Sequence, residues 1–201
     1  MGASSPTRFR PRLTQEEKTA ETRRRLLDAA ISCLIERGYA NTTTSEIAER
    51  AGLSRGAQLY HFPKKEELLT SAVEHLFELV AGEMKEKVGR LTDEDDRRSM
   101  AIDLWWEMVN GPLMTAFVEL LVASRTDAYL RESVAAANDR AAQFIEQSFK
   151  ELFPRPDSAN PDYELIPQIV ALILEAMALE GATLNPQLVA RILNLLKTFK
   201  L

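Results

Sequence analysis

Apolar residues recur at spacings of three and four along most of the chain, and the body shows no strand-like alternation. The pattern predicts an all-α protein of about nine helices. Leu26, Leu27, Ala30, Ile31, Leu34 and Ile35 mark a first helix over about 19–37, stopped by Gly38. Two short helices follow between Thr43 and Tyr60. Leu69, Val73, Leu76, Val80 and Met84 stripe a long helix from Glu66 to about Arg90. Further helices are predicted over 96–109, from Pro112 onward, over 127–153, over 163–180 and over 186–199. Asn110-Gly111-Pro112 separates the first two of these, and the Pro-rich stretch 154–162 reads as a surface loop.

The stretch TTSEIAERAGLSRGAQLYHFPKK, 43–65, carries unusual local detail. Thr43 and Glu46 stand three apart, as in a capping box. Gly52 occupies a position suited to a helix C-terminus with positive φ, and Ser54 can cap the next helix. That helix has little apolar surface but carries Arg55, Gly56, Gln58 and Tyr60. Arg and Gln suit guanine and adenine edges in a major groove, so the stretch reads as a helix-turn-helix.

Residues 38–69, GYANTTTSEIAERAGLSRGAQLYHFPKKEELL, resemble the TetR family of transcriptional regulators. They carry its Gly-aromatic pair, Thr pair, Ile-Ala, Ala-Gly-hydrophobic-Ser, Gly, Tyr-His-Phe and Lys-Glu. Lys64 and Leu59 depart from the usual pattern. The resemblance implies a three-helix DNA-binding domain over 19–65 and a ligand-binding and dimerisation bundle over 66–201, while residues 1–18, with their Ser, Pro and Arg, read as a disordered basic arm. The resemblance also implies that Thr43, Thr44, Ser54, Tyr60, His61 and Lys65 hold the DNA backbone. Arg55, Gly56 and Gln58 would face bases, with Leu59 against a thymine methyl.

Charge distribution agrees with that reading. The net charge is −5, but residues 1–65 hold 12 Lys or Arg against 7 Asp or Glu, and the remainder holds 13 against 23. A +5 head on a −10 body suits phosphate contact at one end only. Arg23, Arg24 and Arg25 on the first helix form either a phosphate-contacting or a solvated face, and the arm with Arg8, Arg10 and Arg12 reads as an unstructured tail or as one that enters the minor groove. One cysteine, Cys33, excludes an internal disulfide and fits the core. With two histidines no metal site is expected, and His75 reads as a surface residue. No cofactor is expected. The first twenty residues lack an apolar signal region. The most apolar stretch, 165–184, is interrupted by Pro167, Gln168, Glu175 and Glu180, so no membrane partner is expected and a cytoplasmic protein is.

In the body, Trp105, Met108, Met114, Phe117, Val118, Leu121, Tyr129 and Phe144 offer adaptable apolar surface for a small, apolar or aromatic effector. Glu107, Glu119 and Arg125 could add polar specificity. Trp105 and Trp106 point about 100° apart on one helix, so one can line a pocket while the other packs. The last two helices need a partner for their apolar faces. In the resembling family that position forms a four-helix bundle between two copies. Leu165, Ile169, Ile173, Met177, Leu188, Ile192, Leu195 and Phe199 are the candidate dimer contacts. The expected function is a dimeric repressor on a palindromic double-stranded operator, released by its effector. An all-helical enzyme lacks any nucleophile–base pair, metal spacing or phosphate loop here, and a non-specific DNA-coating protein conflicts with the acidic body.

Overall fold

The computed structural model describes residues 14–89, 97–152 and 165–198. Among these residues the chain forms nine α-helices and no strand. They are α1 (Gln15–Asn41), α2 (Thr44–Arg50), α3 (Arg55–His61), α4 (Lys65–Val88), α5 (Arg97–Val109), α6 (Pro112–Ser124), α7 (Ala128–Leu152), α8 (Ile166–Glu180) and α9 (Pro186–Thr198). No helix of the described residues is long and apolar enough to cross a membrane. Residues 1–13, the acidic run 93–96, the loop 154–162 and Phe199 lie outside the described residues.

α1 begins earlier than the apolar pattern suggests. Thr14 accepts from the Glu17 N–H at 3.2 Å, and the Thr14 N–H donates to Glu17 Oε2 at 2.7 Å. This is a reciprocal capping box, so Thr14 caps the helix and residues 15–18 belong to it and not to a disordered arm. The expected box at Thr43 is only half formed. Thr43 accepts from the Glu46 N–H at 3.3 Å, but the Glu46 carboxylate pairs with Arg37. Gly38, at φ +72, breaks α1 as expected, although one further turn follows to Asn41.

α1 and α4 each serve two cores. Leu26, Ala30 and Cys33 of α1 pack with Ile47, Phe62 and Leu68 to hold α2 and α3. Ile31 and Leu34, on another side of α1, pack with Leu69, Val73 and Leu76 of α4 and with Leu120, Leu130 and Val134. A third cluster joins Met84, Trp105, Val109, Ala171 and Leu174. The sequence points to α4 as the link between the helix-turn-helix and the body. The structure adds a second: α1 packs along α6 as extensively as α4 packs along α7. His75 belongs to this framework and not to the surface. Its Nε2 lies 2.7 Å from Asp28 Oδ1, bridging α4 to α1.

Candidate nucleic-acid interface and effector cavity

The helix-turn-helix is fixed by backbone capping. Gly52, at φ +64, ends α2, with Gly52 N–H donating to Glu49 O and Leu53 N–H to Ala48 O, both at 2.9 Å. This is a Schellman closure. Ser54 starts α3 by accepting from the Ala57 N–H at 3.1 Å. The Thr43 and Ser54 hydroxyls each accept one such bond. Each therefore keeps its O–H to donate outward.

The α1 arginines are committed to this scaffold. Arg25 donates to Ala51 O, and to Gly52 O at 3.4 Å, at the C-terminus of α2. Arg23 donates to His61 O at 3.1 Å, at the C-terminus of α3, with its guanidinium 4.2 Å from the Phe62 ring centroid. Both bring positive charge to helix ends whose carbonyls are negative. Arg24 pairs with Glu21 at 2.9 Å and Asp28 at 3.1 Å. None of the three is a free phosphate ligand in this conformation.

Gln58 requires a correction. It is 1% exposed, and its Nε2 donates to Phe62 O at 2.7 Å. A seven-residue helix packed on one side must turn some of its polar positions inward, and Gln58 is one of them. Its Oε1 is buried without a hydrogen-bond partner. It cannot reach a base from there. The outward face of α3 is Arg55, Gly56, Leu59 and Tyr60, the last 80% exposed. His61 is half-buried and meets the Tyr60 ring edge-on at 5.1 Å. Thr43 and Ser54 are exposed, and Thr44 is half-buried. Lys65 is half-buried, with its ammonium 5.0 Å from the Tyr39 ring centroid.

Tyr39 is also the centre of a clasp between α1 and the body. Its N–H donates to Glu119 Oε2 of α6 at 2.7 Å. Its O–H donates to Asp127 Oδ2, just before α7, at 2.8 Å. Burial, with the Asp127 hydrogen bond adding to it, pushes the Tyr39 phenol up to about 12. The same hydrogen bond holds the Asp127 carboxyl below its ordinary value. Beside it, a Cβ on Gly38 would come within 2.9 Å of Glu119 Oε2. Glu119 is thus a structural tie, not an effector contact. Glu107 is likewise engaged, by Lys87 Nζ at 2.9 Å, and Arg125 is exposed outside the cavity wall.

The body encloses a cavity of about 440 Å³. α4 supplies Leu76, Phe77, Val80 and Met84, α5 supplies Ile102, Trp105 and Met108, and α6 supplies Met114 and Phe117. Phe144 and Ile145 of α7 and Val170 of α8 complete much of the apolar wall. Five of the eight expected effector contacts therefore line it: Trp105, Met108, Met114, Phe117 and Phe144. Val118, Leu121 and Tyr129 do not. Tyr129 is 66% exposed at the start of α7, and Leu121, exposed on α6 a turn beyond Phe117, lies past the end of the cavity wall. The adjacent tryptophans divide as their 100° offset requires: Trp105 is buried at the cavity and Trp106 packs half-buried beside it.

The candidate dimer stripe also needs correcting. Steps of four residues advance 40° around a helix, so Leu165, Ile169, Ile173 and Met177 drift across the surface of α8. Leu165 and Ile169 are exposed, Ile173 is half-buried and Met177 is buried within the chain. The face that stays outward is Leu165, Ile169, Leu172 and Leu179, with Leu172 65% exposed. On α9, Leu188 and Leu195 are exposed and Ile192 is half-buried. Ile169 and Leu195 also border the cavity.

Residues 26–72 match the family model for bacterial regulatory proteins of the tetR family. The HTH-type transcriptional regulator CymR of Pseudomonas putida is 34% identical over 135 residues, 67% of this chain and 66% of CymR, so the chain spans just under two thirds of that relative. An uncharacterised HTH-type regulator of Mycobacterium tuberculosis, Rv2912c, is 27% identical over 179 residues, 87% of this chain and 90% of the relative. The crystal structure of a transcriptional regulator from Saccharomonospora viridis in complex with choline shares the fold, with a TM-score of 0.70 at 20% identity, over 90% of this chain and 95% of that one. The chain belongs to the TetR family. That is a family of DNA-binding transcriptional regulators and not of enzymes.

Proposed function

We propose that the chain is a cytoplasmic repressor that binds a pseudo-palindromic operator as a homodimer and leaves it when a small, largely apolar effector enters the body cavity. One observation carries this reading. α4 and α6 each line the cavity and each also engage the DNA-binding end. α4 contributes Leu76, Phe77, Val80 and Met84 to the cavity wall and Leu68 and Ala72 to the core under α2 and α3. α6 contributes Met114 and Phe117 to the wall and, two residues further on, Glu119 to the Tyr39 clasp. A ligand that spreads this wall shifts both connections at once. It favours release only if it binds the shifted state more tightly than the operator-bound state. The structural relative solved in complex with choline supports a small-molecule ligand for a chain of this fold.

Operator reading falls to the outward face of α3, with Thr43, Thr44, Ser54, His61 and Lys65 at its flanks for backbone contact. Two substitutions test this together on an operator selected from random DNA by the purified chain. Arg55→Ala removes a candidate base contact and should cost about 1–3 kcal/mol of operator affinity. Gly56→Ala adds a methyl that meets nothing nearer than Ser54 Oγ at 3.8 Å, so the fold has room for it. Alanine should stabilise α3 by about 0.5–1 kcal/mol, raising the melting temperature while operator affinity falls through the lost close approach. Parent-like operator affinity in both variants would remove α3 from base reading.

A further inference from the structure

Among the described residues Glu175 is the one acidic residue in the wall of a largely apolar cavity. It lies on α8, half-buried, between the helices that carry Trp105 and Phe144. The other side chains of the wall that can form hydrogen bonds are Asn138 and Ser148, both on α7, and the indole N–H of Trp105. Among the described residues no Lys, Arg or His lines the cavity. Among the described residues Glu175 has no hydrogen-bond or ion-pair partner, and burial alone pushes its carboxyl above its ordinary value. Half-buried ionisable groups elsewhere in the fold do have partners: Asp127 has Tyr39, and His75 has Asp28.

A carboxyl left unpartnered in an apolar wall is costly, and a sequence meets that cost only where something compensates it. The aromatic rings of Phe77, Trp105, Phe117 and Phe144 surround the same space. Ring faces attract cations, and a carboxylate pairs with them more strongly as water is excluded. A carboxylate ligand, by contrast, would find no cationic side chain in the wall and would face Glu175.

We propose that the effector is a compact, largely apolar or aromatic amine, whose protonated nitrogen pairs with Glu175 while its apolar body fills the space between α4, α5 and α7. This rests on the cavity being the effector site. Its test uses three probes with one apolar body: 4-phenylbutylamine, 4-phenyl-1-butanol and 4-phenylbutyrate. Calorimetric titration of the full chain should rank the amine about tenfold or more above the alcohol, with the carboxylate weakest. Glu175→Gln keeps the shape and removes the charge. It should fold at least as stably as the parent, because it no longer buries an unpaired carboxyl, and should bind amine and alcohol alike. If the alcohol or the carboxylate binds the parent as well as the amine does, or if Glu175→Gln leaves the ranking intact, the proposed effector class is wrong while the cavity reading stands. Ala141→Phe, which fills the cavity, separates the two ideas. If the parent binds none of the probes, or if this variant binds all three like the parent, the cavity reading fails and the effector class with it.

Discussion

Replacing Leu172 and Leu179 together by Asp should break the proposed dimer, leaving a monomer of 22.6 kDa, and weaken operator binding by a hundredfold or more. Both side chains are 65% exposed on α8, so the change costs the isolated fold little, and the helical content by circular dichroism should match the parent. Their exposure is what makes them informative. A run of large apolar residues turned to water along one helix, with Leu188 and Leu195 of α9 exposed as well, suits burial against a second copy. Two charges at the centre of such a face would have to be desolvated without partners. Affinity falls because a single helix-turn-helix then meets a single half-site. Sedimentation velocity at micromolar concentration reads the first effect and fluorescence anisotropy on the selected operator reads the second. A double variant that remains dimeric would move the interface elsewhere.

The second large effect concerns the clasp. Glu119→Ala leaves the Tyr39 N–H without its acceptor in a partly buried site, which should lower stability by about 1–3 kcal/mol. Its diagnostic consequence is on coupling. A cavity-binding compound should still bind the variant with parent affinity, because Glu119 does not line the cavity, but should weaken operator binding at least tenfold less than it does in the parent. A merely structural role would lower stability and leave that ratio unchanged. Tyr39→Phe removes only the bond to Asp127 and should act in the same direction more weakly. The phenol contributes through a raised pKa, so its contribution is complete below pH 10 and is lost as pH rises through about 12. The difference between the parent and Tyr39→Phe absorbance titrations should accordingly have its midpoint near 12.

Helix positions were legible because they depend on neighbours in sequence. Periodicity, Gly52, Ser54 and the Gly111-Pro112 break reproduce most helix boundaries to within a residue or two. The Thr14–Glu17 box was equally legible in principle: it has the same spacing as Thr43 and Glu46 but lies before the apolar stripe begins. Side-chain direction was less accessible. Gln58 has the chemistry of a base reader, and only the packing of α3 against Phe62 turns it inward. The drift of Leu165, Ile169, Ile173 and Met177 follows from helix geometry, but which end of the drift faces solvent depends on where α5 and α7 lie. The clasp and the position of Glu175 were not legible. Tyr39 and Glu119 are 80 residues apart, and no local pattern pairs them. Glu175 reads in sequence as an interruption of an apolar helix, and only the assembled walls turn it into the polar point of a cavity.

The central claim is that cavity occupancy and operator affinity are coupled through α4 and α6. Its most direct measurement is the operator dissociation constant of the parent chain, with and without a saturating compound whose binding Ala141→Phe abolishes. The account predicts at least a tenfold weaker operator complex with the compound present. It also predicts that the compound binds the operator complex more weakly than the free chain by that same factor, as linkage requires. Equal dissociation constants with the cavity occupied and empty would contradict it.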